Sequence, residues 1–234
     1  MQGLRAVLCA IGLWAAAGAA HAQGPVVVEL FTSQGCSSCP PADRLLGELA
    51  SRDDIIALAL HVDYWDYIGW TDTFADPAYT ARQGGYARAS GSTIVYTPQM
   101  VIGGHAHVVG HQPMAVFDEI MAHADARDPV LVQVSDDDGA YLITVEMQEA
   151  APPAAGMVVQ LVGYMPSQEV DIGRGENANN TYEYHNIVQS WQVIGDWDGA
   201  DVYSTRVTLD GTEPFVVIVQ QANFGPVMGA ARLN

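Results

Sequence analysis

Lysine is absent from this 234-residue sequence, and basic residues of any kind are scarce. Nine arginines stand against 27 aspartates and glutamates, which gives a formal net charge of −18 at neutral pH. A surface of this sign repels the phosphates of nucleic acids and of anionic lipids. The composition therefore argues against nucleic acid as a partner.

Long apolar runs are also missing after residue 22. The run from Ala6 to Ala20 follows Arg5 and ends in Ala20-His21-Ala22, which is the pattern of a secretory signal peptide with its cleavage site. It is shorter than the roughly 20 residues that a membrane-spanning helix needs. We expect residues 1–22 to be a signal peptide, with an uncleaved anchor as the alternative. The mature protein would then be periplasmic or secreted and free of the membrane.

Cysteine is nearly absent too. Of the three cysteines, Cys9 lies inside the predicted signal peptide, which leaves Cys36 and Cys39 in the mature chain. A disulfide that closes so short a loop constrains the unfolded chain far less than a long-range one. A structural zinc site would need a second pair of ligands. The spacing therefore favours redox chemistry over a stabilising crosslink.

Strand and helix patterns alternate through the first half of the mature chain. Short apolar runs predict strands, and helical spacing of apolar residues predicts helices. The predicted strands are Val26–Phe31, Ile55–Val62, Gln99–Ile102 and His105–Val109, and the predicted helices are Ala42–Ala50, Pro77–Ala89 and Met114–Ala126. The two cysteines thus lie between the first strand and the first helix, where the helix dipole and free N–H groups favour a thiolate at Cys36.

Beyond Asp128-Pro129 the patterns predict strands without helices. They fall at Val130–Ser135, Tyr141–Gln148, Met157–Met165, Ile187–Ile194, Val202–Leu209 and Phe215–Gln221. Several short strands at close spacing are typical of an antiparallel sandwich. The sequence therefore predicts two domains, residues 23–128 and residues 129–234.

The first half resembles the thioredoxin superfamily. The resemblance rests on the order strand, Cys36-Ser37-Ser38-Cys39, helix, strand, helix, and on Thr97-Pro98 ahead of a hairpin. It implies a cis proline at Pro98 that lies against the disulfide. It departs from the superfamily pattern in the segment from Tyr64 to Asp76, which suggests an added lid or docking surface. The expected fold is an α/β thioredoxin-like domain followed by an all-β antiparallel sandwich-like domain.

The whole chain also resembles a family of secreted bacterial proteins, the domain of unknown function 1223. This resemblance brings no activity with it. The matching stretches are Glu29–Asp43, His61–Asp66, Arg174–Asn177 and Gly225–Ala230.

Further polar residues are candidates for accessory roles. Asp63, or His61 through it, could handle protons for Cys39, because working residues of α/β folds lie near the carboxyl ends of strands. Structural packing of His61 is the alternative. Arg174 and Glu176 could recognise a partner or close over the cysteines, or could simply bind each other.

The metal prediction is none, although three histidines have suggestive spacing. His105, His107 and His111 alternate along a predicted strand, so that two or three of them could share a face and bind copper or zinc. Exposed polar residues of a strand are the alternative reading of the same pattern.

These observations predict an exported thiol-disulfide oxidoreductase-like protein without a cofactor. Cys36 attacks a disulfide, Cys39 resolves the intermediate, and Thr97 and Pro98 help to hold the substrate, which is a protein or a small thiol or disulfide. The alternative is a Cu(I)-handling protein that uses the same two thiolates, since soft sulfur ligands select Cu(I). The sequence does not determine the oligomeric state.

Overall fold

The structure of this protein is a computed structural model that describes residues 24–126, 128–148, 151–209 and 211–233. The predicted signal peptide lies outside the described residues. Three α-helices are present in the described part: α1 Pro40–Ala50, α2 Pro77–Ala89 and α3 Pro113–Ala124. No helix there is both long and apolar enough to cross a membrane.

Eleven strands account for most of the remaining structure in the described ranges. They are β1 Val26–Thr32, β2 Ile55–His61, β3 Gln99–Ile102, β4 Ala106–Val109, β5 Val130–Asp137, β6 Ala140–Met147, β7 Met157–Ile172, β8 Asn180–Trp197, β9 Tyr203–Val207, β10 Phe215–Gln221 and β11 Val227–Leu233. Eight of them form one mixed sheet in the order β11-β10-β7-β8-β2-β1-β3-β4, and β5, β6 and β9 form a small second sheet.

The predicted fold class is wrong, because strands from both halves of the chain enter one large sheet. β2 pairs in parallel with β8 at Ala59 and Ile187, and the Asn186 side chain donates to the Ala57 carbonyl at 2.8 Å. All seven residues of β2 are buried, so its second edge needs a partner, and the middle of β8 supplies one. A thioredoxin-like domain followed by a sandwich does not describe this arrangement. The division of the chain at residue 128 stays a prediction.

The central strands are covered on both faces. Alternate residues of β1 and β2, such as Val28, Leu30 and Ala59, pack with α1 and α3, whereas Phe31 and Leu58 belong to a second cluster on the opposite face that includes residues of α2. A third cluster lies between β7, β10, β11 and the small sheet. Burial on both faces explains why β1 and β2 read as continuous apolar runs.

The parallel pairing of β1 and β2 positions the candidate site. Val26 pairs with Ile55 and Thr32 pairs with His61, so both strands end at the same edge of the sheet. The cysteine segment follows β1 at this edge, and a long connection with a short 3₁₀ helix, Asp66–Ile68, follows β2. Loops at the carboxyl ends of parallel strands are where α/β proteins place functional groups.

Candidate redox site

Cys36 and Cys39 form a disulfide at the start of α1. Their Cα atoms are 5.4 Å apart, and both residues are fully buried, although Ser37 and Ser38 between them are exposed. Cys36, the predicted nucleophile, is therefore not accessible to solvent in this closed arrangement. Because both sulfurs are buried, a partner thiol can reach them only when the residues that cover them move.

The helix start differs from what the sequence suggested about thiolate stabilisation. Cys39 is the N-cap of α1, and Pro40 and Pro41 at the next two positions have no N–H groups. The first N–H groups that remain, those of Ala42 and Asp43, both bind the Cys39 carbonyl, at 2.8 and 3.1 Å. Backbone donors in the first turn are thus absent or occupied. The contribution of α1 to stabilising a thiolate is therefore its helix dipole.

A hydroxyl group lies beside one sulfur. Ser38 Oγ is 3.4 Å from Cys36 Sγ, and it is the donor because a disulfide sulfur carries no hydrogen. After reduction the same hydroxyl group can donate to a Cys36 thiolate and stabilise it. This contact distinguishes Cys36 from Cys39.

A buried carboxyl group lies one helical turn beyond Cys39. Asp43 accepts a hydrogen bond from Thr32 Oγ1 at 2.7 Å, and residues four apart on a helix lie on one side of it. Burial raises the pKa of Asp43 to about 7, against the lowering effect of the Thr32 hydrogen bond. Asp43 can therefore gain or lose a proton near neutral pH.

A groove connects this carboxyl group with solvent. It has a volume of about 610 Å³ between α1 and β8, and Asp43, Arg44, Thr181 and His185 are among its lining residues. Asp43 therefore lies in the wall of a groove that opens to solvent.

His61 lies beside Thr32 at the end of β2 and is fully buried. Its Nδ1 is 2.8 Å from Asp72 Oδ2, and the rings of Phe74 and Tyr184 pack edge-on against it at 5.2 and 5.0 Å. Its Nε2 has no hydrogen-bond partner within the described ranges. The electrostatic influence of His61 lowers the pKa of Asp43 and that of Asp72 raises it, so these three groups form one electrostatic cluster.

The connection after β2 covers the cysteine segment. Asp72 Oδ2 accepts from the Gln34 N–H at 2.8 Å, and Trp70 Nε1 donates to Gln34 Oε1 at 2.8 Å. A Cβ atom built on Gly35 would lie 3.2 Å from Ile68 Cδ1 and 3.3 Å from Trp65 Cβ. The side chains of this segment thus lie directly on Gly35, and its role as a lid or docking surface stays a prediction.

Thr97 and Pro98 lie beside the same site. The peptide bond between them is cis, which confirms this part of the expectation for Pro98. Trp65 Nε1 donates to Thr97 Oγ1 at 2.7 Å. A Cβ atom on Gly110 would lie 3.2 Å from both Pro98 Cβ and Ala42 Cβ, which places the proline next to the first turn of α1.

Two accessory candidates have other partners than the cysteines. Asp63 accepts from Thr80 Oγ1 at 2.5 Å, at the start of α2, and His61 Nδ1 is paired with Asp72 Oδ2 at 2.8 Å. Arg174 and Glu176 are exposed in the turn between β7 and β8. The roles suggested for all four residues stay predictions.

His105 and His107 lie along the β3–β4 hairpin, away from its Pro98 end, whereas His111 follows Gly110 at that end. His105 is at the turn, next to His123 with a ring distance of 5.7 Å, whereas Pro98 is at the opposite end of the hairpin. His107 packs against Tyr86, and burial lowers the pKa of His107. Within the described ranges, no three His, Cys, Asp or Glu side chains are grouped so that they could hold a metal ion.

Sequence reasoning missed three residues that the structure brings to the site: Asp43, Asp72 and Asn177. Asp43 and Asn177 are in stretches that carry the family resemblance, but nothing in their spacing pointed to burial. The Asn177 side chain donates to the carbonyl groups of Gln34 and Cys36, at 2.9 and 3.0 Å. Its contact with the cysteine segment spans more than 140 residues and has no local signal.

Fold and site together define a protein with a mixed eight-stranded sheet and a covered C-x-x-C disulfide at the carboxyl end of a central strand. The family described as "Protein of unknown function (DUF1223)" matches residues 27–220, and the chain belongs to this family.

Two solved structures are similar to this chain. A protein from Agrobacterium tumefaciens is 32% identical with a TM-score of 0.75, over 91% of this chain and 96% of that one. HBP35 of Porphyromonas gingivalis is 15% identical with a TM-score of 0.61, over 90% of this chain and 75% of that one, and this likeness concerns the fold alone. No curated protein matches the sequence significantly.

Proposed function

We propose that this protein is an exported thiol-disulfide oxidoreductase that exchanges the Cys36–Cys39 disulfide with a protein or a small thiol. The observation that carries the proposal is the C-x-x-C disulfide next to a buried carboxyl group whose pKa is raised to about 7. Acids with such a shift are frequent where protons are transferred near neutral pH. The export part of the proposal rests on the pattern of residues 1–22.

A stabilising role explains the disulfide poorly. The two cysteines are three positions apart, so the bridge removes little conformational freedom from the unfolded chain. The surrounding β1, β2 and α1 are well packed and do not need such a crosslink. An exchangeable disulfide accounts for both the spacing and the polar cluster beside it.

The exchange begins when a partner thiolate attacks Cys36 Sγ. The Cys36–Cys39 bond breaks, a mixed disulfide forms between the partner and Cys36, and the electron pair leaves on Cys39 Sγ. Asp43 in its protonated form donates a proton to the Cys39 thiolate. A second partner thiolate then displaces Cys36, so that the partner becomes a disulfide, Cys36 leaves as a thiolate beside the Ser38 hydroxyl group, and Cys39 is a thiol.

The reverse direction uses the same groups. The Cys36 thiolate, with the Ser38 hydroxyl beside it, attacks a partner disulfide and releases one partner thiolate. Ionised Asp43 accepts the proton of Cys39, which then attacks Cys36 Sγ and releases the second partner thiolate. Asp43 suits both directions because its pKa of about 7 leaves both forms populated at neutral pH.

Exposed apolar side chains near the site support a polypeptide as the partner. Tyr67, which stacks on Trp65, is 82% exposed, and Ile94, three residues before Thr97, is 70% exposed. Large exposed apolar groups on a soluble protein frequently mark contact surfaces.

The first test is to trap the mixed disulfide with single cysteine variants. With Cys39→Ser, Cys36 can still attack but the mixed disulfide cannot be resolved, so partner adducts should accumulate in the compartment to which the protein is exported. Cys36→Ser is the matched control and should trap nothing. Purification under non-reducing conditions followed by mass spectrometry measures both.

The same samples test the alternative use of the thiolates. A Cu(I) site would lose metal equally in both variants, because each removes one ligand from a shared coordination sphere. Equal copper loss without partner adducts would overturn the proposed exchange reaction.

A further inference from the structure

We propose that Asn177 is a positioning residue that holds the turn between β7 and β8 over the disulfide, so that thiols reach the sulfurs when its contacts break. The inference deepens the proposed function by naming what controls access to the same site. It concerns the accessibility of the disulfide, and this property can be measured whether or not the protein turns over a physiological partner.

The NH₂ group of Asn177 binds the cysteine segment twice. This group has two hydrogens, and it donates to the carbonyl groups of Gln34 and Cys36 at 2.9 and 3.0 Å. These carbonyl groups belong to the residues on either side of Gly35, and Cys36 is itself a disulfide residue. Asn177 is 5% exposed, so water cannot replace it on these carbonyls without movement of the turn.

The turn also packs on the connection that follows β2. A Cβ atom on Gly173 would lie 3.2 Å from the Trp70 ring, and one on Gly175 would lie 3.4 Å from Trp70 Cβ. Trp70 in turn donates to Gln34 Oε1. The turn, the connection and the cysteine segment are therefore stacked, and Asn177 joins the first of them directly to the third.

These contacts explain why the disulfide is buried while the two serines inside its loop are exposed. The connection after β2 and the turn about 140 positions further along the chain both contact the cysteine segment, and Asn177 provides the direct hydrogen bonds from the turn. A cover held by two hydrogen bonds from one side chain can open while the central strands stay folded, because local openings cost less than global unfolding.

The test measures how fast dithiothreitol reduces the disulfide in folded protein. One dithiothreitol thiolate attacks a cysteine sulfur, its second thiol closes the ring, and the protein is left with two thiols. Asn177→Asp places a carboxylate against two carbonyl oxygens, and Asn177→Ala removes the donors. We expect reduction to be at least about tenfold faster in Asn177→Asp, with Asn177→Ala between it and the parent protein.

Gln168→Glu is the matched control, since it makes the same amide-to-acid change at an exposed position of β7 and should leave the rate unchanged. The global unfolding rate of each oxidised variant is measured in parallel by far-UV circular dichroism. Faster reduction at an unchanged unfolding rate supports the proposal. An increase no larger than that of the unfolding rate, or a parent-like rate in both Asn177 variants, overturns it.

The outcome is independent of the proposed reaction. Fast reduction of Asn177→Asp together with no adducts on Cys39→Ser would support the cover and contradict the oxidoreductase. Adducts on Cys39→Ser together with an unchanged rate of reduction in the Asn177 variants would support the oxidoreductase and contradict the cover.

Discussion

Replacement of Asp43 by asparagine is expected to stabilise the oxidised protein at pH 8 and to leave its stability at pH 4 nearly unchanged. Burial raises the pKa of Asp43 from 3.8 to about 7, so the native state holds this proton more tightly than the unfolded chain does. The free energy of unfolding is therefore highest below about pH 4 and decreases as the pH rises from there through 7. This difference between the two pKa values corresponds to a loss of at most about 4 kcal/mol in the free energy of unfolding. Asparagine removes the charge and keeps an oxygen for the Thr32 hydroxyl.

Urea unfolding of the oxidised protein between pH 4 and pH 9 measures this effect. The exposed Asp53→Asn is the control, and it should follow the parent protein at every pH. If the stability of Asp43→Asn and that of the parent protein change in parallel with pH, the pKa of Asp43 is not raised. A buried acid that lowers stability at neutral pH is expected where function, and not folding, requires it.

Replacement of Arg82 by methionine is expected to destabilise the protein by about 3–5 kcal/mol. Arg82 on α2 binds both carboxylate oxygens of Glu29 on β1, at 2.6 and 2.9 Å, and its guanidinium lies 3.7 Å from the Trp191 ring centre. Glu29 is fully buried, so the substitution leaves an uncompensated charge inside the protein. Chemical denaturation at neutral pH measures the loss.

Two control variants separate the effect of the uncompensated buried charge from the effect of losing an ion pair as such. Arg52→Met breaks the exposed pair with Asp54 and should cost less than about 1 kcal/mol. The double variant Glu29→Gln/Arg82→Met buries no unpaired charge and should be more stable than Arg82→Met alone. A loss from Arg82→Met no larger than that from Arg52→Met would contradict the buried network.

The same network shows why the sequence predicted the elements better than the fold. Apolar runs and helical spacing are local signals, and they located β1, β3, α2 and β10 closely, but they do not encode which strands become neighbours. Arg82 contacts Gln160 of β7 and Gln220 of β10, and these long-range contacts join the halves that the pattern change at Asp128-Pro129 had separated. β11 was not predicted, and β7 and β8 extend well beyond their apolar centres because polar residues continue the pairing.

The site was predictable where its signal was local. Cys36, Cys39 and Pro98 stand out by residue type and spacing, and the structure brings the cysteine pair and the proline to the same helix start. Asp43 looks like an ordinary polar residue of a helix's first turn, and its burial follows from packing against β1, β2 and β8. Asn177 lies far along the chain and reaches the cysteines because β7 and β8 form one long hairpin.

Equilibration of the purified mature protein with glutathione redox buffers tests the central claim most directly. The fraction of Cys36 and Cys39 in the disulfide is measured by thiol alkylation and mass spectrometry after the exchange has reached equilibrium. An exchanging disulfide should convert reversibly with a midpoint between about −120 and −270 mV, the range of thiol-disulfide oxidoreductases. A disulfide that stays intact to below about −300 mV, as structural disulfides do, would contradict the account.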